Sequence, residues 1–389
     1  MNLKQKITHF LPLPYLTFIL LWFFLCLFSF SQKDLNLTIY DYPVVRDVIN
    51  KIIEFGYFQR AYNTILFTIL TLVFCGNYLY LIFQQKLLQL KYLIRVFIIL
   101  LIIGIPAYPA FSHDIFNYLF NAKMLVIYHV DPHIHTALEF PNDLWLRFMH
   151  NIHTTAPYGY IFTYLSIIPF ILGFGNFTLT FWLFKLFIIA FLALESFLLF
   201  KLALMQNKAK AVQILSFFIL NPLILFETVI TGHNDSVMMG FALLSIYFLS
   251  LNLQSFLKYS LSLVSFLVSI YIKYATLVLT PIWFWCKKFK WDFYFWGGLA
   301  LLAVLLTRIG QLHSWYLQWG FVLLILAKSK LSKLFAILLT LGGLIRYAPF
   351  VYYGNWDSPV PTQRYILLLL PLAAVFFPKI RDFFSKKIN

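Results

Sequence analysis

Apolar runs of about twenty residues, the length that crosses a bilayer core, recur from one end of this chain to the other and are separated by short connectors rich in Lys and Arg. Read in order, they predict helices over 11–30, 63–84 and 94–111, and then a hydrophilic stretch over 112–158. A run at 159–174 is only marginally long enough to cross. Further helices are predicted over 177–203, 211–230 and 235–252, then over 255–285 with a break at Ile272-Lys273-Tyr274, and finally over 292–307, 316–327, 332–350 and 363–378. The class this predicts is an all-α polytopic membrane protein with about 11–13 membrane helices. Leu11 to Phe30 follows a basic flank, Lys4 and Lys6, but is too long for a signal-peptide core and lacks a small-residue cleavage site, so it reads as a retained span.

Charge sets the expected orientation. Lys86, Lys91 and Arg95, then Lys208 and Lys210, then Lys287, Lys288 and Lys290, then Lys328, Lys330 and Lys333, and the terminal Lys379, Arg381, Lys386 and Lys387 fall in connectors that the positive-inside rule places in the cytoplasm. Acids and histidines fall mostly between them, which puts 31–62 and 112–158 outside and both termini inside. A full crossing at 159–174 would export Lys208 and Lys210, so a re-entrant or half-depth helix is expected there. An unbroken 255–285 would export Lys287 and Lys288. Two short crossings return them to the cytoplasm and leave Lys273 near the outer face. Three parts follow: membrane helices in 1–111 with an external loop at 31–62, an external loop domain at 112–158, and a C-terminal bundle at 159–389.

Composition then excludes other classes. With 61% hydrophobic and 11% charged residues the chain is no soluble globule. A net charge of +16 would suit nucleic acid, but its confinement to connectors points to membrane lipids instead and to no nucleic-acid partner. Cys26, Cys75 and Cys286 lie in or beside apolar runs and show neither a disulfide framework nor metal-thiolate spacing.

Four polar clusters stand where chemistry could occur. In Ser112-His113-Asp114, the carboxylate directly follows an apolar run, and a carboxylate held partly out of water can serve as a general base; Ser-x-Asp is equally a helix-start signal. His129, Asp131, His133 and His135 alternate and would share a face in an extended strand, a possible divalent metal site, although Pro132 favours irregular backbone. Asn221-Pro222 precedes Glu227, His233, Asn234 and Asp235. Pro222 is expected to kink a helix that continues to Glu227, and Asn234 or Asp235 to cap the next one. His313, Trp315, Tyr316 and Trp319, with Arg308, Arg346, Trp356 and Arg364, combine aromatics suited to interfacial anchoring or to a sugar face with guanidinium groups suited to phosphate.

Taken together, Asp114-Ile-Phe-Asn-Tyr118, Asp131-Pro132-His133, Ala156-Pro157-Tyr158-Gly159, Asn221-Pro-Leu-x-Leu-x-Glu227, Gly232-His-Asn-Asp235, Lys273 and Trp315-Tyr-Leu-x-Trp319 resemble the GT-C superfamily of polyprenol-phosphate-sugar glycosyltransferases. The closest resemblance is to the prokaryotic mannosyltransferases that use polyprenol-phosphate-mannose. It covers roughly residues 110 to 370. Asp131-Pro132-His133 stands where that family usually has Asn-Pro-Tyr, and Pro157-Tyr158-Gly159-Tyr160 where it has Pro-Tyr-Gly-Pro.

The resemblance implies an inverting hexosyl transfer, with mannose the expected sugar, from a polyprenyl-phosphate donor to a hydroxyl of a glycan or lipid outside a prokaryotic plasma membrane. It implies that Asp114 is the base and that His113, Tyr158, Glu227, His233, Asn234, Asp235, Trp315, Tyr316 and Trp319 bind substrate. The leaving phosphate would be held by Lys273 together with one or more of Lys185, Arg308, Arg346 and Arg364, unless Lys185 instead pairs with Glu195. No metal ligand is assigned and no cofactor is expected for certain, although a divalent metal is compatible. The rival reading is a transporter or flippase for a polar or lipid-linked solute, in which broken helices and buried Lys and Glu are also expected.

Overall fold

The computed structural model describes residues 11–37, 39–41, 43–307, 310 and 312–387; within them the regular structure is helical, without strands. α1 (Leu13–Ser29), α3 (Arg60–Phe83) and α4 (Leu90–Gly104) pack together, with the amphipathic α2 (Pro43–Phe58) lying between α1 and α3 in the chain. Two large polar side chains inside this apolar packing are tied to other helices, since an unpaired polar group would cost several kcal/mol in a medium without water, roughly 2–7. Thus Trp22 on α1 donates to the Leu100 carbonyl on α4 at 2.8 Å. Tyr78 on α3 donates to the Phe217 carbonyl at 2.8 Å.

α5 (Asp114–Val126) follows, then short 3-10 turns, α6 (Tyr160–Leu172) and the 30-residue α7 (Phe177–Gln206). α8 (Ala211–Ile219) and α9 (Pro222–Leu225) are the halves of the segment read as one kinked helix, and they bend by 50°. Asn221 makes the break: its Oδ1 accepts from the Leu223 and Ile224 amides at 3.0 and 3.2 Å, while its Nδ2 donates to Thr340 at 2.8 Å. α9 passes into a π-helical turn, Phe226–Ile230.

α10 (Asp235–Ser250) packs against α7 and α11 (Ser255–Ile272). The expected break falls at Lys273, which caps α11 in extended backbone before a 3-10 turn and α12 (Leu279–Phe289). α13 (Phe293–Leu306) packs on α14 (Leu317–Leu324). α15 (Lys330–Ile345), α16 (Ala348–Tyr353) and α17 (Val360–Leu369) complete the body, and α18 (Ala373–Phe376) and α19 (Pro378–Lys387) end it.

Among the described residues, five segments can cross a membrane by length and composition: Leu13–Gln32, Arg60–Phe83, Phe177–Gln206, Ser255–Ile272 and Lys330–Tyr353. The bent pair at 211–230 makes a sixth if it forms one span, and shorter apolar helices lie at Tyr160–Leu172, Asp235–Ser250, Phe293–Leu306 and Val360–Phe376.

Candidate active site

Asp114 opens α5, and the chain is turned into place just before it by Phe111, a bulky residue with φ of 69°. Such backbone is unfavourable for a residue with a large side chain and persists only where surroundings enforce it. Here the Phe111 ring stacks on Tyr347 and Phe226, at centroid distances of 4.5 and 5.5 Å. Next to it, His113 Nδ1 meets the Phe148 carbonyl at 2.8 Å and so must carry the proton, leaving Nε2 to accept from the Tyr108 hydroxyl at 2.6 Å. Its ring stacks on His150 at 3.9 Å. Burial, then the neighbouring His150, pushes the His113 pKa down to about 4.

Behind Asp114 lies a buried chain of polar groups. Gly232 takes φ of 77°, a left-handed turn that glycine enters without strain, and it aims His233 back at α5. His233 Nε2 lies 3.0 Å from Ser112 Oγ and 3.9 Å from Asp114 Oδ2. Its Nδ1 faces Thr231 Oγ1 at 2.8 Å, the Glu227 carbonyl at 3.2 Å and Glu227 Oε2 at 3.1 Å. Tyr347 donates to Glu227 Oε1 at 2.7 Å. The π-helical turn, a geometry often found at functional sites, is what swings Glu227 to this position. Whereas the Asp114 side chain is 26% exposed, those of His233 and Glu227 are each 1% exposed. Only the first can meet a ligand directly.

Two cavities meet at Asp114. The larger, about 570 Å³, is mainly apolar: Leu277, Val278, Pro281, Val304 and Leu305 line it, with Tyr158, Tyr316, Trp319 and Lys273. The smaller, about 370 Å³, is the more polar of the two, with His113, His150, His313, Arg346 and Arg364 in its wall beside Phe111, Tyr347 and Trp356. Asp114 and Trp315 border both. The Trp315 indole is held between His233 and His313, with centroids at 3.8 and 4.3 Å, so it forms a rigid partition. Gly159 brings Tyr158 to the break in the α11–α12 segment: its amide donates to the Ile272 carbonyl at 2.9 Å, and a side chain there would strike the Tyr271 carbonyl.

Several expected placements differ. Glu227, His233, Asn234 and Asp235 line neither cavity; their side chains are buried behind its wall, because helix packing turned them inward. Lys273 is not an unpaired ammonium. It meets Asp235 Oδ1 at 2.8 Å and lies over the Tyr316 and Trp319 rings. Lys185 reaches neither cavity and does not pair with Glu195: it donates to the Ala107 and Gly104 carbonyls, at 2.7 and 3.3 Å, at the frayed end of α4. Glu195 instead accepts from Gln318 at 2.8 Å. Arg308 lies outside the described residues.

His129, Asp131, His133 and His135 form no shared face, because His129 takes φ of 55° and the segment turns. His135 pairs with Glu139, and His133 with Thr163. No group of three or more His, Cys, Asp or Glu among the described residues is placed to hold a metal ion. The two departures from the resembled pattern touch one another: Tyr160 donates to Asp131 at 3.0 Å and stacks on His133 at 3.9 Å. His150 and Tyr347 belong to the site without having been singled out in the sequence, and Ser112, read there as a helix-start residue, instead meets His233. His313 gave a signal, through its place beside Trp315.

No curated protein and no solved structure matches this chain. Residues 41–288, more than half of the chain and including Asp114, the Glu227–Asp235 turn and Lys273, match the family model described as alpha-(1->6)-mannopyranosyltransferase, N-terminal domain. With its polar cluster set among helices apolar enough to cross a membrane, the chain belongs to this mannosyltransferase family.

Proposed function

We propose that this glycosyltransferase moves a mannosyl unit from a polyprenyl-phosphate donor to a hydroxyl of an extracytoplasmic glycan or lipid, on a GT-C-like scaffold with the 112–158 loop outside. The observation that carries the reading is the position of Asp114, shared by an apolar and a polar cavity on either side of Trp315. A prenyl chain suits the apolar one, and a hydrated acceptor suits the other.

In this scheme an Asp114 carboxylate oxygen takes the proton of the acceptor hydroxyl as that oxygen attacks the anomeric carbon. The bond from that carbon to the phosphate oxygen breaks on the opposite face, and its electron pair leaves with the phosphate, so configuration inverts. Lys273, at the donor cavity, stabilises the growing phosphate charge, an interaction that strengthens in the transition state. Tyr158, Tyr316 and Trp319 offer faces to the sugar. His233 and Glu227 hold the Asp114 end of the cavity in register without touching substrate, and Tyr347, which borders the acceptor cavity, anchors Glu227.

Membranes containing the protein, supplied with radiolabelled polyprenol-phosphate-mannose, should transfer label to a glycan or lipid, and Asp114→Asn should remove that transfer. Label that crosses the membrane still attached to its prenyl phosphate would instead mean transport.

A further inference from the structure

The polar cavity holds more positive charge than a neutral sugar requires. Arg346 is 2% exposed, and its Nη2 donates to the Leu312 carbonyl at 3.0 Å, but its Nη1 has no partner. The Arg364 Nε also has none. Both guanidinium groups lie 5.5 Å from the centre of the same Tyr365 ring. Neither forms an ion pair with a carboxylate among the described residues. Holding the buried Arg346 charge beside the half-buried Arg364 is unfavourable unless an anion joins them. Their influence extends to His313 in the same cavity, whose pKa is pushed down to about 3, by burial first and then by His233, Arg364, Arg346 and Lys273. Lys273, at the other cavity, is already paired with Asp235, so the two cationic positions differ in kind.

We propose that Arg346 and Arg364 form a phosphate-binding subsite on the acceptor side of Asp114, so that the acceptor is an anionic, phosphate-bearing glycoside. The proposal rests on the reading that the donor chain occupies the apolar cavity. Guanidinium groups bind phosphate through paired N–H donors, and the unpartnered Arg346 Nη1 and Arg364 Nε supply donors of this kind. The other source of a phosphate at this position is the donor itself, reaching past Trp315.

The test uses the full-length protein in detergent with two probes that keep the same 6-hydroxyl, methyl α-mannoside and α-mannose 1-phosphate. Calorimetry should show mannose 1-phosphate binding at least about tenfold more tightly than the methyl glycoside, a preference that Arg364→Gln reduces to near unity and Arg364→Lys partly keeps. With polyprenol-phosphate-mannose as donor, kcat/KM should show the same preference. Equal binding of the two probes overturns the subsite. A rise in donor KM in Arg364→Gln, with the acceptor preference intact, also overturns it, because the phosphate bound there is then the donor's. If the probes bind as expected but polyprenol-phosphate-mannose gives no transfer to either, the donor reading fails and the subsite stands.

Discussion

Lys273 and Asp235 form an ion pair of 2.8 Å in which the two side chains are unequally covered, 14% exposed for the lysine and 1% for the aspartate. The same carboxylate oxygen accepts the Trp319 indole N–H at 2.5 Å. The ammonium therefore faces the apolar cavity while its counter-charge sits behind the wall, anchored at the first turn of α10. An ammonium has three donors, and this arrangement leaves it able to meet an anion without being left unpaired when the cavity is empty.

Stability and donor binding should separate at this pair. Lys273→Met leaves the Asp235 charge buried without its partner, which should cost about 3–5 kcal/mol and lower the Tm of the detergent-solubilised protein. Adding Asp235→Asn should restore much of the Tm and leave donor KM raised. Recovery of both in the double variant would make Lys273 a structural partner only.

Asp114→Asn keeps the size of the side chain and removes its ability to take a proton. Turnover should fall about a hundredfold or more, with Tm little changed and donor KM within a few-fold of the parent protein. Turnover within a few-fold of the parent would remove Asp114 as the base.

The sequence made the breaks legible because backbone chemistry at a break is local. Asn221-Pro222 ends one helix and starts another by its own hydrogen bonds, and Lys273 interrupts an apolar run whose charge pattern already demanded a turn. Asp114, Trp315 and Tyr158 were also visible, and the folded chain brings them to one place. Partners were not legible. That Lys185 binds carbonyls at and just past the end of α4 rather than reaching Glu195, or that Asp235 neutralises Lys273, depends on how distant helices pack. Arg346 and Arg364 reach the Asp114 cavity from more than two hundred residues away, and no local pattern tells on which side of Trp315 they fall.

Acid should destabilise the protein through His113. Its folded pKa, about 4, lies below the ordinary value of 6.5, so between these values the unfolded chain binds a proton that the native chain does not. Stability then rises with pH across this window and is lost as pH falls through it. Thermal melts between about pH 4 and 7 should show this slope, and His113→Gln, which can keep a hydrogen bond to Phe148 or Tyr108 without titrating, should flatten it. An unchanged slope in that variant would assign the effect to other groups.

His233 is expected to act on the reaction through Asp114 rather than by contact with substrate. Because its Nδ1 meets the Glu227 carbonyl, that nitrogen carries a proton, and what remains variable is Nε2, which faces Ser112 at 3.0 Å and Asp114 at 3.9 Å. With Nε2 bare, Ser112 donates to the imidazole; with Nε2 protonated, the imidazole donates and places a positive charge beside the base. Either state fixes the Asp114 environment through Ser112 and the imidazole. His233→Gln should lower kcat by roughly ten- to a hundredfold, the range for a group that orients a catalytic one, with donor KM little changed. Glu227→Gln, which keeps an acceptor for Tyr347, should produce a smaller change of the same kind. A role limited to packing against Trp315 predicts a lower Tm with kcat little changed in the protein that remains folded, and that result would remove His233 from the mechanism.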